Sequence, residues 1–221
     1  MAWVQIQFGQ SLNGFSIGEP DKLARIRRTI YAARFCASQV KGSNDAMSAT
    51  SEIIDQPLSR EVLAKRFREL CDDPRFANLP GKIELDAWGR IIMSPADNQH
   101  GLLQSRLAQS LTRDLGGATI VEASISTNPD LRVADVVWAS DEFMRAHARE
   151  TPFMAAPEIC IEVASPSNSA RELKDKVAAY LAIGAIEAWI VYPQTKRIEF
   201  FGAHGALQRT AFQVNLDQLF D

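Results

Sequence analysis

The run "PEICIEVASPSNSARELKDK", beginning at Pro157, narrows the fold more than any other part of the chain. Ile159, Ile161 and Val163 alternate as in a buried strand, yet Glu162 stands inside that strand. An unpaired carboxylate within a sheet carries a penalty of several kcal/mol, so a compensating cation is expected nearby. The short "SPSNS" connection then leads to Ser169, a good N-cap, and to a helix over about 169–183 that Gly184 ends. The strands "EAWIVYP" and "RIEFFG" follow.

A second strand repeats the anomaly. "LRVADVVWA" carries Asp135 in its middle, although aspartate is disfavoured in strands. If the two strands pair, their backbones lie about 4.8 Å apart. Two like charges at that spacing repel and raise a pKa unless a cation separates them. A hard divalent ion, Mg²⁺ or Mn²⁺, meets that need, since Mg²⁺ is commonly held by one or two carboxylates with waters and phosphate oxygens. In the helix, Leu173, Val177 and Leu181 form an apolar stripe with Lys176 at its edge and Tyr180 one turn on. Two acids, a metal and a lysine suit metal-assisted hydrolysis. Each residue also has a plainer role open to it: Glu162 paired with Lys174 or Arg171 at a sheet edge, Asp135 ending a strand, Lys176 solvated.

The rest of the chain supplies the frame. "LSREVLAKRFREL" has Leu58, Val62, Phe67 and Leu70 near helical spacing, with Ser59 as N-cap. "KIELDAWGRIIMSP" reads as a hairpin turning at Gly89. In "DNQHGLLQSRLAQSLTRDLGG" a leucine recurs every fourth residue from Leu103 to Leu115 before a Gly-Gly stop. "ATIVEASIS" is a strand, "DEFMRAHARE" a short helix, and "NLDQLF" a final helical turn. The order helix, hairpin, helix, strands, helix, strands specifies a mixed α/β domain, a central sheet flanked by helices. No glycine-rich nucleotide loop, serine elbow, H-E-x-x-H pair or C-x-x-C is present.

Composition excludes several classes. Among 221 residues the net charge is −3, which argues against a strongly basic nucleic-acid coat but not against a local basic cleft. Three scattered cysteines fit reduced thiols rather than a disulfide framework. No apolar run approaches ~18 residues and no signal-peptide core is present, so a cytoplasmic protein without membrane partners is expected. Residues 1–57 read as an N-terminal extension, helical in part or poorly ordered. It holds the basic stretch Asp21 to Val40, then the linker-like "KGSNDAMSATSE". Met47 stands as an alternative start.

From "GKIELDAWGRIIMSPADNQHG" through "RVADVVWAS" to "PEICIEVASPSNSARELKDKVAAYLAIGAIEAWIVYP", the chain resembles the Uma2 family of endonucleases. That family lies within the PD-(D/E)XK restriction-endonuclease-like superfamily. The resemblance covers about Leu58 to Phe220, making 58–221 the nuclease domain. It implies a restriction-endonuclease-like mixed sheet, divalent-metal dependence and hydrolysis of DNA phosphodiester bonds. By position, Asp135 matches the motif aspartate and Glu162 the motif acid, the two metal ligands. Ala134 replaces the motif proline, and Ala164 stands where the motif lysine would be. Lys176 resembles a lysine displaced to the helix, where it assists the attacking water. Glu84 matches an early acid that completes the site. His100 takes the histidine position after "SP", either in a direct role or as a supporting imidazole at a helix start. Glu187 is expected to be structural. A homodimer would let a one-site nuclease cut both strands. A non-catalytic nucleic-acid or protein-interaction module retaining the fold is the alternative.

Overall fold

The computed structural model describes residues 5–6, 56–76, 81–94 and 97–221. The basic stretch Asp21 to Val40 and the linker after it lie outside the described residues. The described chain runs β1 (Gln5–Ile6), α1 (Arg60–Asp72), β2 (Lys82–Leu85), β3 (Ile91–Ser94), α2 (Asn98–Leu115), β4 (Ala118–Ser126) and β5 (Leu131–Ala139). It continues through α3 (Asp141–His147), β6 (Ile159–Val163), α4 (Ala170–Ala182), β7 (Glu187–Tyr192), β8 (Arg197–Gly202) and β9 (Gly205–Leu207). The fold is the mixed α/β class expected. "NLDQLF" forms turns rather than a helix, and β1 and β9 are too short for a period to announce them.

Local chemistry sets the helix ends. Side chains of Ser59, Asp97, Ser140 and Ser169 each accept a backbone N–H of the first turn, the Asp97 carboxylate taking both Gln99 and His100. Gly116 and Gly117, with φ of 66° and 63°, end α2 where a side chain would be strained. The buried stripe of α1 is Leu63, Ala64, Phe67 and Leu70, while Val62 faces solvent, one position off the expected stripe.

The strands form one mixed sheet in the order β1-β3-β2-β5-β6-β7-β8-β9, with β4 added on β5. β6 and β7 are parallel with α4 as their crossover, and the other pairs are antiparallel. α2 and α4 pack on opposite faces of the described sheet, and α1 packs on its β2, β3 and β5 residues Leu85, Ile91 and Leu131. α2 packs Leu103, Leu107 and Leu111 against Val136, Trp138, Ile159, Ile161, Val163 and Trp189. On the other face, Leu173, Val177 and Tyr180 of α4 meet Val137, Cys160, Ala188 and Ile190. The alternation read in β6 is therefore a division between two cores, each buried large aliphatic contributing about 1.5–3 kcal/mol.

β5 has three neighbours, and this positions the site. β4 follows one edge of it from Ser126↔Leu131 to Ala118↔Ala139. On the other edge β2 touches only Leu131, and β6 only Val136 to Trp138. The sheet forks there, leaving the edge of β5 between Leu131 and Val136 without a strand partner among the described residues.

Candidate active site

Buried backbone groups need partners, and at the fork side chains supply them. The Val133 N–H donates to Glu84 Oε1 at 2.9 Å, and the Val133 carbonyl accepts from Lys82 Nζ at 2.8 Å. Across the gap the Val163 N–H donates to Asp135 Oδ2 at 2.7 Å. Lys82 and Glu84 share one side of β2 by its period of two, so both reach the same stretch of β5.

The antiparallel β5–β6 register, carried one pair beyond Val136↔Ile161, sets Asp135 level with Glu162. Period two would put Ala134 and Val136 on one face, yet they are buried in the α4 and α2 cores respectively. β5 thus rotates at Asp135. Glu122, level with Asp135 on β4, carries the matching distortion as a non-glycine residue with φ of 55°. Such a conformation costs on the order of 1–3 kcal/mol. The rotation turns the Asp135 carboxylate toward the gap.

Five elements deliver the polar side chains. Lys82 Nζ lies 2.7 Å from Asp135 Oδ1, His100 Nε2 3.2 Å and Gln104 Nε2 3.4 Å from the same oxygen. Lys176 Nζ reaches Glu84 Oε1 at 3.0 Å and Glu162 Oε2 at 3.2 Å. The Tyr180 hydroxyl donates to Glu162 Oε1 at 2.6 Å. Glu84, Asp135, Glu162 and Lys176 are each no more than 3% exposed. Lys176 is therefore not at the edge of its helix stripe, as the spacing suggests, but within it. Neither Lys174 nor Arg171 is a hydrogen-bonding partner of Glu162, and Ala164 continues the backbone pairing to Val191. Glu187 accepts from the Trp189 indole and the Ala211 N–H, a structural task.

Burial and charge pull these groups in opposite directions. Burial penalises the Asp135 carboxylate, but Lys82 and His100 outweigh it and hold the group well below the usual range. Glu84 follows the same logic with Lys176, Lys82 and the Val133 N–H, and also ends low. Glu162 goes the other way: burial raises it, and Lys176 and Lys82 only partly offset that. Burial opposes the charge on both lysines and on His100, yet the acids around them raise all three. Burial pushes the Tyr180 phenol well up, so it stays a donor.

The structure brings Asp135, Glu162, Lys176, Glu84 and His100 into one cluster. Sequence reasoning misses Lys82 and Gln104, though each leaves a trace: Lys82 lies two residues before Glu84, and Gln104 one helical turn after His100. Among the described residues no group of three or more His, Cys, Asp or Glu side chains is disposed to hold a metal ion. Lys176 bridges Glu84 and Glu162, and Lys82 is paired with Asp135. No described helix is long and apolar enough to cross a membrane.

A family model described as "Uma2: Putative restriction endonuclease" matches residues 64–220. Among solved structures, the chain is similar to one described as "a putative nuclease belonging to DUF820" from Anabaena variabilis ATCC 29413. The TM-score is 0.50 at 16% identity, covering 61% of this chain and 79% of that one, a likeness of fold. No curated protein matches the chain significantly.

Proposed function

The chain belongs to the Uma2 family of putative restriction endonucleases, and from that premise we propose that it hydrolyses DNA phosphodiester bonds at the sheet fork with Mg²⁺ or Mn²⁺. The observation that carries this reading is the convergence of Glu84, Asp135, Glu162 and Lys176, from four separate elements, in one buried cluster. A structural ion pair does not need three acids and two lysines at a break in a sheet.

The donor set suits a hard cation. Asp135 Oδ1 and the Val133 carbonyl, both bound to one ammonium, are the oxygen types that Mg²⁺ prefers. Asp135 and Glu162 would hold the metal, with Glu84 beside them. When bound, the ion makes a water nucleophilic at neutral pH and offsets charge on the phosphoryl group. His100 and Gln104 hold Asp135 in orientation from α2, and Tyr180 does the same for Glu162 from α4. Lys176, fixed between Glu84 and Glu162, orients the attacking water and neutralises charge developing in the transition state. Double-strand cutting by this single site would call for two copies, a homodimer.

A second reading, a non-catalytic module with the nuclease fold, is favoured by one observation. Glu84 and Asp135 also bind the Val133 and Val163 N–H groups, a task the fold needs without any chemistry. Supercoiled plasmid and single-stranded DNA, each incubated with Mg²⁺, Mn²⁺ or EDTA, separate the two. Metal-dependent cleavage that EDTA abolishes supports the nuclease. No cleavage under any condition supports the module.

A further inference from the structure

We propose that Lys82 is a resident counter-ion that the metal must displace, and that it moves from Asp135 toward Glu122 when the metal binds. The inference rests on the metal reading above. Lys82 Nζ takes Asp135 Oδ1 at 2.7 Å and the Val133 carbonyl at 2.8 Å, with only 10% of the side chain exposed. Metal–oxygen distances for Mg²⁺ are about 2.0–2.1 Å, so an ammonium on the same Asp135 oxygen would sit in direct cation–cation repulsion. Lys176 holds Glu84 and Glu162 Oε2 and makes no bond to Asp135, so the ammonium to be displaced is the one on Asp135 Oδ1 alone.

The displaced ammonium has a place to go. Lys82 lines a cavity of about 240 Å³ beside α1, together with Glu122, Val133 and Cys71. Glu122 lies on β4 level with Asp135 and is exposed, with the strained backbone already described. A flexible four-carbon stem can carry a lysine head between two such acids. The strain at Glu122 would then serve to present a carboxylate to that cavity. Lys82 would set metal affinity without touching substrate, and it would keep the cluster compensated while the metal is absent.

Titration calorimetry with MnCl₂ on the wild type, Lys82→Met, Glu122→Gln and the double variant tests the idea. Loss of a supporting partner of a metal ligand weakens metal binding by about 10–100-fold, and removal of a competing cation should act on the same scale in the opposite direction. Lys82→Met is expected to bind Mn²⁺ tighter by about that factor. Glu122→Gln should weaken binding in the wild-type background and have no effect beside Lys82→Met. Equal Mn²⁺ affinity in wild type and Lys82→Met overturns the inference while leaving the metal site standing. The same effect of Glu122→Gln in both backgrounds overturns the move to Glu122. Absence of Mn²⁺ binding in both wild type and Lys82→Met overturns the metal reading itself, and the inference with it. Amine labelling of the intact wild type reads the movement directly. Mn²⁺ should raise Lys82 labelling severalfold and leave the exposed Lys65 unchanged, and unchanged Lys82 labelling at saturating Mn²⁺ overturns the displacement.

Discussion

Lys176 Nζ stands 3.2 Å from Glu162 Oε2, with both side chains no more than 4% exposed. The same ammonium reaches Glu84 at 3.0 Å, so one cation compensates two buried acids from different strands. A lysine at a helix edge would be removable with little loss of stability, whereas this one is not. Lys176→Met should destabilise the fold by about 3–5 kcal/mol, the cost of leaving buried charge uncompensated. Lys174→Met, exposed on the same helix, should stay within about 0.5 kcal/mol. Urea unfolding of the two variants reads the difference.

Tyr180 fixes the other oxygen of Glu162 at 2.6 Å. Tyr180→Phe keeps the ring in the α4 core and deletes that one bond. Hydrogen bonds to charged groups contribute about 1.5–3 kcal/mol, and that loss is expected in denaturant unfolding. A positioning role adds a second readout. With Glu162 holding the metal as proposed, Mn²⁺ affinity should fall about 10–100-fold in Tyr180→Phe, as for other supporting partners of metal ligands.

The strands and helices are legible in the sequence because their periods are local. The four-residue leucine repeat of α2 and the alternation in β6 each report a face that is buried. The interior acids Asp135 and Glu162 are legible as violations of those periods. The fork is not, because it arises where three strands meet and no single segment encodes it. Lys82 escapes notice for that reason: its direction matters only once β2 is known to leave β5 at Leu131. The depth of Lys176 is hidden because a helical wheel gives direction, not what lies beneath. Beneath Lys176 lie the two acids at the gap. In α1, Val62 fits the stripe by its spacing from Leu58, but the helix begins at Arg60 and turns Leu63 and Ala64 inward.

Two glycines in and after α2 should respond in opposite directions. Gly117 has φ of 63°, and a Cβ there would meet the Ala139 carbonyl at 2.5 Å. At Gly101, inside α2, an added Cβ would have nothing within 4 Å of it among the described residues. Gly117→Ala should cost on the order of 1–3 kcal/mol. Gly101→Ala should stabilise by up to about 1 kcal/mol through helix propensity. Thermal unfolding of both variants checks the sign.

Acid sensitivity has an assignable contributor at the end of α2. Asp114 accepts from the Arg113 guanidinium and the Asn215 N–H, which hold its carboxyl down at about 2. An unfolded aspartate titrates near ~3.9. Its contribution is therefore complete above about pH 4 and is lost as pH falls toward 2. The Tm gap between wild type and Asp114→Asn should be constant above that window and close within it. A gap that persists unchanged at about pH 2 would contradict the assignment.

The rate of plasmid cleavage by wild type and Asp135→Asn, at equal saturating Mn²⁺ and with folding verified by circular dichroism, tests the fork as the catalytic centre most directly. Loss of a ligand to a catalytic metal forfeits several kcal/mol of transition-state stabilisation, so the rate should fall by about 10²-fold or more. Cleavage by folded Asp135→Asn at the wild-type rate would contradict the assignment of catalysis to this cluster.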